Sequence, residues 1–291
     1  MKHIATLLLL FTLSAAYGQG HLFSRVKLNR SSVYVGQPVE VTVSVYSSTW
    51  FTSGVDPGNI KVEGAFTVYF RSVSQTEKIN GKTYAGVDMI FNVFPFEDKD
   101  IEFPAVTFHV ETPDEGDYKG KPKTVRTKPR KIKVKPIPPG YDKAAWVVTT
   151  GLWVNERWSG NLQNVKIGDV LERRIDRTVS NTVSELIPPV VWDSVENIAL
   201  YPMRPEVMNQ KTKTDISASR TDGMRYLFLE EGEVTIPGQV FTWYNPYRKR
   251  LYKKTLKART INVLPNPDLG MLKTVRDSLA MMSTPPQSGE E

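Results

Sequence analysis

Asp100-Ile101-Glu102-Phe103-Pro104-Ala105-Val106-Thr107-Phe108 returns later in the chain as Glu233-Val234-Thr235-Ile236-Pro237-Gly238-Gln239-Val240-Phe241. In both blocks polar and apolar residues alternate up to a proline and resume beyond it, the period of a strand with one buried face. Each block is followed by a basic alternating run that ends at a proline, Pro129 to Pro136 and Ala258 to Pro265. Each is preceded by a glycine turn that opens another alternating run: Val35-Gly36-Gln37 before Val39 to Val45, and Ile167-Gly168-Asp169 before Val170 to Val179. The separations are 132 residues from Gly36 to Gly168, 133 from Pro104 to Pro237 and 129 from Pro136 to Pro265. Three landmarks in one order at nearly constant spacing predict two copies of one module. The fold class expected is all-β: two tandem immunoglobulin-like β-sandwiches with a short C-terminal helical tail.

The chain divides accordingly. Residues 1–18 read as a secretory leader: Lys2 and His3, an apolar Ile4 to Leu13 too short to span a bilayer, and Ala16-Tyr17-Gly18 for cleavage. Module one is expected over residues 19–136. Pro136-Ile137-Pro138-Pro139-Gly140 forms a stiff connector over 137–140, which predicts an elongated pair with a small interface. Module two follows over 141–265. In the remaining 266–291, Asp268 caps an expected helix from Leu269 to Met282, whose apolar stripe runs through Leu272, Val275 and Leu279. Within module one, Asn80-Gly81 marks a hairpin with arms Arg71 to Ile79 and Thr83 to Phe94. Phe103 to Val110 reads as one strand.

The 291 residues contain no cysteine. This excludes disulfides, thiolate metal sites, cysteine nucleophiles and a lipid-modified amino terminus, and for an exported chain it favours the periplasm. Beyond the leader the histidines are His21 and His109, and no metalloprotease, nucleophile-elbow or phosphate-loop motif is present. Glu230-Glu231 is too weak a carboxylate pair for glycosidase chemistry. Glu111, Asp114, Glu115 and Asp117 lack the ligand order of a calcium loop and read as a solvated acidic loop. The expectation is no catalytic residue, no cofactor and no metal.

Two stretches are candidates for binding. The net charge is +7, and Lys119 to Lys135 holds nine basic residues without an acid, among them Lys128, Arg130 and Lys131. In an exported protein nucleic acid does not fit, and the alternation of Val125, Ile132 and Val134 with charges reads first as a solvated edge strand, with an acidic partner or a lipid surface as the alternative. Module two holds five of the six tryptophans, Trp146, Trp153, Trp158, Trp192 and Trp243, which read first as core. Trp243-Tyr244-Asn245-Pro246-Tyr247-Arg248-Lys249-Arg250 stands apart, because aromatics mixed with arginine at a turn mark contact surfaces. Trp243, Tyr244, Tyr247, Arg248 and Arg250 are its partner-binding candidates. The competing reading is a hairpin tip with its rings tucked onto the sheet.

The ordered set of motifs resembles the BatD family, the "oxygen tolerance" proteins of bacterial aerotolerance operons. In module two the resemblance rests on Ile167-Gly168-Asp169, Arg174 to Thr178, Ile187-Pro188-Pro189, Tyr201-Pro202 with Pro205-Glu206, Glu231 to Pro237, Trp243-Tyr244 and Ala258 to Pro265. In module one it rests on Val35 to Val39 and Phe103 to Val106. It implies an exported protein of immunoglobulin-like domains without enzymatic activity, working as a scaffold beside MoxR-type ATPases and von Willebrand A domain membrane proteins. Members of the family usually continue into a transmembrane helix, whereas nothing after the leader here reaches the apolar length of a span. The function expected is a non-enzymatic exported adaptor for cell-envelope proteins. The alternative is a module that binds carbohydrate or envelope polysaccharide through tryptophans stacked on sugar rings.

Overall fold

The computed structural model describes residues 22–266 and 272–283; the leader, the proposed cap Asp268 and the start of the expected helix lie outside them. Module one is a sandwich. One sheet has the order β1-β3-β5-β4, from β1 (Leu22–Leu28), β3 (Val39–Ser47), β5 (Lys82–Pro95) and β4 (Ala65–Ile79). The Asn80-Gly81 turn joins β4 to β5 with both residues at positive φ, 50° and 84°, as a type I′ turn requires. Facing this sheet are β2 (Ser32–Tyr34), β9 (Arg130–Lys135) and β6 (Ile101–Phe103), in the order β2-β9-β6, and the pair β7 (Thr107–Thr112) with β8 (Lys121–Arg126). The core between them includes Val39, Val41, Val43, Val45, Met89, Phe103 and Ile132, all fully buried.

Module two repeats the plan. β10 (Leu152–Trp158), β11 (Val170–Ser180), β12 (Ile198–Pro202), β13 (Glu206–Lys211) and β14 (Ile216–Phe228) make one sheet, ordered β10-β11-β14-β12 with β13 also on β14. β15 (Gly232–Ile236) pairs with β18 (Arg259–Val263), and β16 (Gln239–Asn245) with β17 (Arg250–Leu256). Among the described residues no named strand pairs across the two modules. The helix α1 (Leu272–Ser283) lies against β12, with Leu279 buried and Met282 exposed, so only part of its expected stripe is covered.

The duplication is visible bond by bond. Gly36 and Gly168 each precede the second strand of the main sheet, at φ 78° and 89°. The Gly36 N–H donates to the Pro95 carbonyl at 2.7 Å, and the Gly168 N–H to the Phe228 carbonyl at 2.8 Å. Val35 and Ile167 donate to Lys135 and Leu264, at the ends of the two closing strands. Gln37 and Asp169 close the turn onto the Tyr34 and Lys166 carbonyls, and their side chains accept the same residues' N–H groups. Four backbone or side-chain bonds thus recur in the same places.

The Pro104 and Pro237 blocks are equivalent too, each proline following directly on the last residue of a strand, β6 or β15. β6 and β7 keep a single register against β9 and β8, with Ile101 opposite Ile132 and Thr107 opposite Arg126. They form one long hairpin interrupted at Pro104, which lies opposite Pro129. Neither proline has an N–H for the ladder, so the expected continuous strand Phe103 to Val110 is broken there. Thr127 bridges the break, its Oγ1 accepting the Val106 N–H at 2.8 Å. In module two β15-β16 and β17-β18 also share one register, interrupted at Pro237.

The cores differ in kind. The common register makes Val26, Val41, Val45 and Met89 equivalent to Glu156, Arg173, Arg177 and Asp222. The first four are apolar and buried. In module two Arg173 Nε donates to Glu156 at 2.8 Å, and its Nη1 to the Pro237 carbonyl at 3.1 Å. Arg177 pairs with Asp222, which also takes Arg220. The two arginine carbons lie over Trp158, Trp192 and Phe241 at 5.4–5.8 Å.

Two outcomes follow from this pairing. A Gly36→Ala or Gly168→Ala variant forces a side chain into the left-handed region and should lose about 1–2 kcal/mol, equally in both copies, by urea denaturation. Asp222→Ala strands Arg177 and should cost about 3–5 kcal/mol, whereas grafting the module-one set with the Arg220 position included (Glu156→Val, Arg173→Val, Arg177→Val, Arg220→Val, Asp222→Met) should be neutral or stabilising. A graft less stable than the single variant would refute the equivalence.

Candidate functional site

The joint between the modules is built on the Gly36 turn. Four residues after the end of module one the connector turns at Gly140 (φ 88°), and Trp146 reaches across to donate its Nε1 to the Val35 carbonyl at 3.0 Å. The Trp146 ring stacks on Tyr244 of β16 at 5.6 Å and 24°, and Tyr34 of β2 meets Tyr244 edge-on at 5.2 Å. Val148 and Tyr141 complete this cluster. A second one joins Phe70 and Phe94 of module one to Val183 and Ile216 of module two. Around it, Arg71 Nη1 donates to the Lys213 carbonyl at 2.7 Å and Lys211 Nζ to the Tyr69 carbonyl at 2.8 Å. Two apolar clusters span the joint that the connector crosses. Buried aromatics, as well as proline stiffness, hold the pair. Beside them lies a cleft of 780 Å³ floored by Phe66, Ile137, Trp146 and Pro188, with Glu97, Lys143 and Glu185 at its walls.

The structure separates the aromatic candidates. Tyr244 is buried in the joint, so it is withdrawn from any outside partner. Trp243 is half-buried, packs beside Leu152 and Val179, and stacks on Tyr252 of β17 at 5.6 Å. Both rings are tucked onto the sheet because β16 is a strand through Asn245, and the turn itself is only residues 246–249. Tyr247 is 62% exposed at that turn, and its hydroxyl accepts Arg30 Nη2 of module one at 3.1 Å. Arg248 and Arg250 are exposed, near the Tyr252 hydroxyl and over its ring respectively. Among the tryptophans read as core, Trp153 is an exception at 61% exposed.

The basic run also divides. It is two strands, not one edge: β8 pairs only with β7, while β9 lies between β2 and β6 with Ile132 and Val134 buried. Lys128 sits exposed in the link between them. Arg130 and Lys131 begin β9, Arg130 donating its Nε to the Val26 carbonyl at 3.1 Å. The acidic loop supplies the missing counter-charges. Asp114 accepts Lys121 and Lys123, each at 2.7 Å, and Glu115 accepts Lys82. These lysines hold the Asp114 carboxyl down at about 2. Among the described residues no group of acids and histidines is placed to hold a metal.

The sequence does not mark Tyr34 and Arg30 as joint residues, places Trp146 only in a core, and leaves Lys253, Lys254 and Lys257, beyond Arg250, outside the candidate stretch. The signal for β17 was present: Arg248, Lys249, Arg250, Lys253, Lys254, Lys257 and Arg259 without an acid.

The joint carries a pH dependence. Burial first, and then the Tyr34 hydroxyl beside it, push Tyr244 from its ordinary 10.0 up to about 12. Burial and a bond to Glu77 do the same to Tyr46. Both tyrosines keep their protons longer folded than unfolded. Their stabilisation is complete below pH 10 and is lost as the pH rises from 10 towards 12. Urea midpoints should fall across that window, and less steeply in Tyr244→Phe; an unchanged slope in that variant would dissociate Tyr244 from the effect.

No curated protein matches the chain. Solved structures with related arrangements include the C-terminal domain of the Streptococcus agalactiae AgI/II polypeptide BspA, at 8% identity and TM-score 0.21, covering 83% of this chain and 99% of that one. The type II cohesin dyad of the adaptor ScaA scaffoldin of Acetivibrio cellulolyticus aligns at 9% identity and TM-score 0.21, covering 84% and 96%. The family model described as BatD DUF11 like domain matches residues 26–134, so the recognised copy is module one, although most of the resembling motifs were read in module two. From β1 into β9 the chain carries a BatD DUF11 like domain.

Proposed function

We propose that the protein is a non-enzymatic adaptor, exported to the periplasm, that binds cell-envelope proteins. The observation that carries this reading is the BatD DUF11 like domain locked by buried aromatics to a second copy of its own fold. A joint of that kind suits a scaffold, which must present two surfaces at a constant angle. The family resemblance supplies the class of partner: von Willebrand A domain membrane proteins of a MoxR-linked system. The surface supports protein over sugar as the ligand. Trp50 and Trp153, the tryptophans more than a third exposed, lie one in each module and offer no row of stacking platforms. Basic strand edges and the exposed turn at Tyr247 and Arg248 suit a protein contact instead.

The test is capture from envelope extracts with the leaderless protein, with mass spectrometry of what is retained. A membrane protein should be recovered, its yield falling with salt and several-fold further in Arg248→Glu/Arg250→Glu. Retention of the protein on envelope polysaccharide, with no protein captured, would reverse the choice in favour of the carbohydrate reading.

A further inference from the structure

The two modules treat one equivalent strand oppositely. In module one β8 forms the second half of the kinked hairpin, and its Lys121 and Lys123 are neutralised by the acidic residues of the turn before it, Asp114 foremost. In module two the equivalent strand is β17, and the turn before it is Pro246-Tyr247-Arg248-Lys249, which has no acid. Arg248, Lys249, Arg250, Lys253, Lys254 and Lys257 are all exposed, and none forms an ion pair among the described residues. β17 pairs only with β16, so its outer backbone edge has no described strand against it.

We propose that β17 is a docking edge for an extended acidic segment of a partner protein, which adds as a further strand of the β16-β17 sheet. This rests on the adaptor reading and names its site. The chemistry of the occupant follows the chain's own precedent: Asp114 and Asp117 take Lys121 in module one, and Arg250 holds the equivalent register position on β17. Backbone groups of the open edge supply affinity, and the charges fix sign and register. Leu251, 40% exposed, and the groove between Trp243, Tyr247 and Tyr252 offer apolar contact beside the charges. An edge fits a strand better than a membrane plane here. Arg250 and Lys254 alternate with Lys253 along β17, so the charges point to both faces of the sheet and no single plane covers them.

The experiment uses the leaderless full chain and a fluorescein-labelled peptide of alternating Glu and Val, read by anisotropy. The same peptide N-methylated at alternate residues, its Lys-Val counterpart, and vesicles of phosphatidylglycerol with phosphatidylcholine are the other arms. The Glu-Val peptide should bind, weaken as salt rises, and lose about tenfold or more in affinity in Lys253→Glu/Lys254→Glu, whose circular dichroism should match the parent. N-methylation should abolish binding. Equal binding by the charge-reversed variant, equal binding of the N-methylated peptide, or binding to vesicles alone would each overturn the proposal. If envelope proteins are still captured by the charge-reversed variant, the adaptor reading survives and β17 is not its site. Should the reversed pair unfold, Lys253→Gln/Lys254→Gln removes the charge without repulsion and must show the same direction of loss.

Discussion

The seating of module two depends on a carbonyl that the Gly36 turn of module one presents. The Gly36 turn is closed by bonds to the ends of β5 and β9 and by the Gln37 side chain, which leaves the Val35 carbonyl presented at the end of module one. Trp146 takes it, and in doing so places its ring against Tyr244 and Tyr34. A buried polar group must find a partner, so this contact fixes position as well as adding apolar burial. Module two has the same turn, and there the Ile167 carbonyl accepts Asn266 Nδ2 at 2.8 Å, again from the segment that follows the last strand. The site is therefore a property of the module, used once to seat the next module and once to seat the chain beyond it.

The two copies show which parts of a sandwich are constrained and which are free. The turn, the register and the proline-interrupted hairpin recur, because each satisfies backbone groups that no side-chain exchange can replace. The core does not recur. A valine-methionine layer in one copy is a pair of arginine-carboxylate contacts in the other, with aromatic rings over the guanidiniums. The exchange is not fully compensated: among the described residues the Arg177 Nε and the Trp158 Nε1 of this layer are buried without a hydrogen-bond partner. The long strand β4 is likewise replaced by β12 and β13. Its irregularity between Tyr69 and Arg71 corresponds to the break between Pro202 and Glu206, where Pro205 cannot join a ladder.

Charge followed a similar path. In module one the basic strand β8 and the acidic loop are close in sequence and close in space, so Lys121 and Lys123 are paired there. In module two the loop is short and basic, and the balance is open. The difference between the copies, more than the total of +7, distinguishes a solvated face from a face with room for an acidic partner.

The chain by itself determined the all-β class, the duplication, the Asn80-Gly81 hairpin and the glycine turns. These rest on period-two patterning and on residues with few allowed backbone states, and both are local. It did not determine which aromatics face outward. Tyr244 and Tyr247 are three residues apart in one basic, aromatic stretch, yet one is buried in the joint and the other is exposed at the turn. Nor did it show that Lys121 and Lys123 are paired, that Arg173 and Arg177 lie inside a core, or that Trp146 seats on Val35. Each of these depends on contacts between residues far apart in the chain or between the two modules. Only the tertiary structure decided them, because burial and ion pairing are set by what the fold brings against a side chain, and sequence neighbours carry almost none of that information.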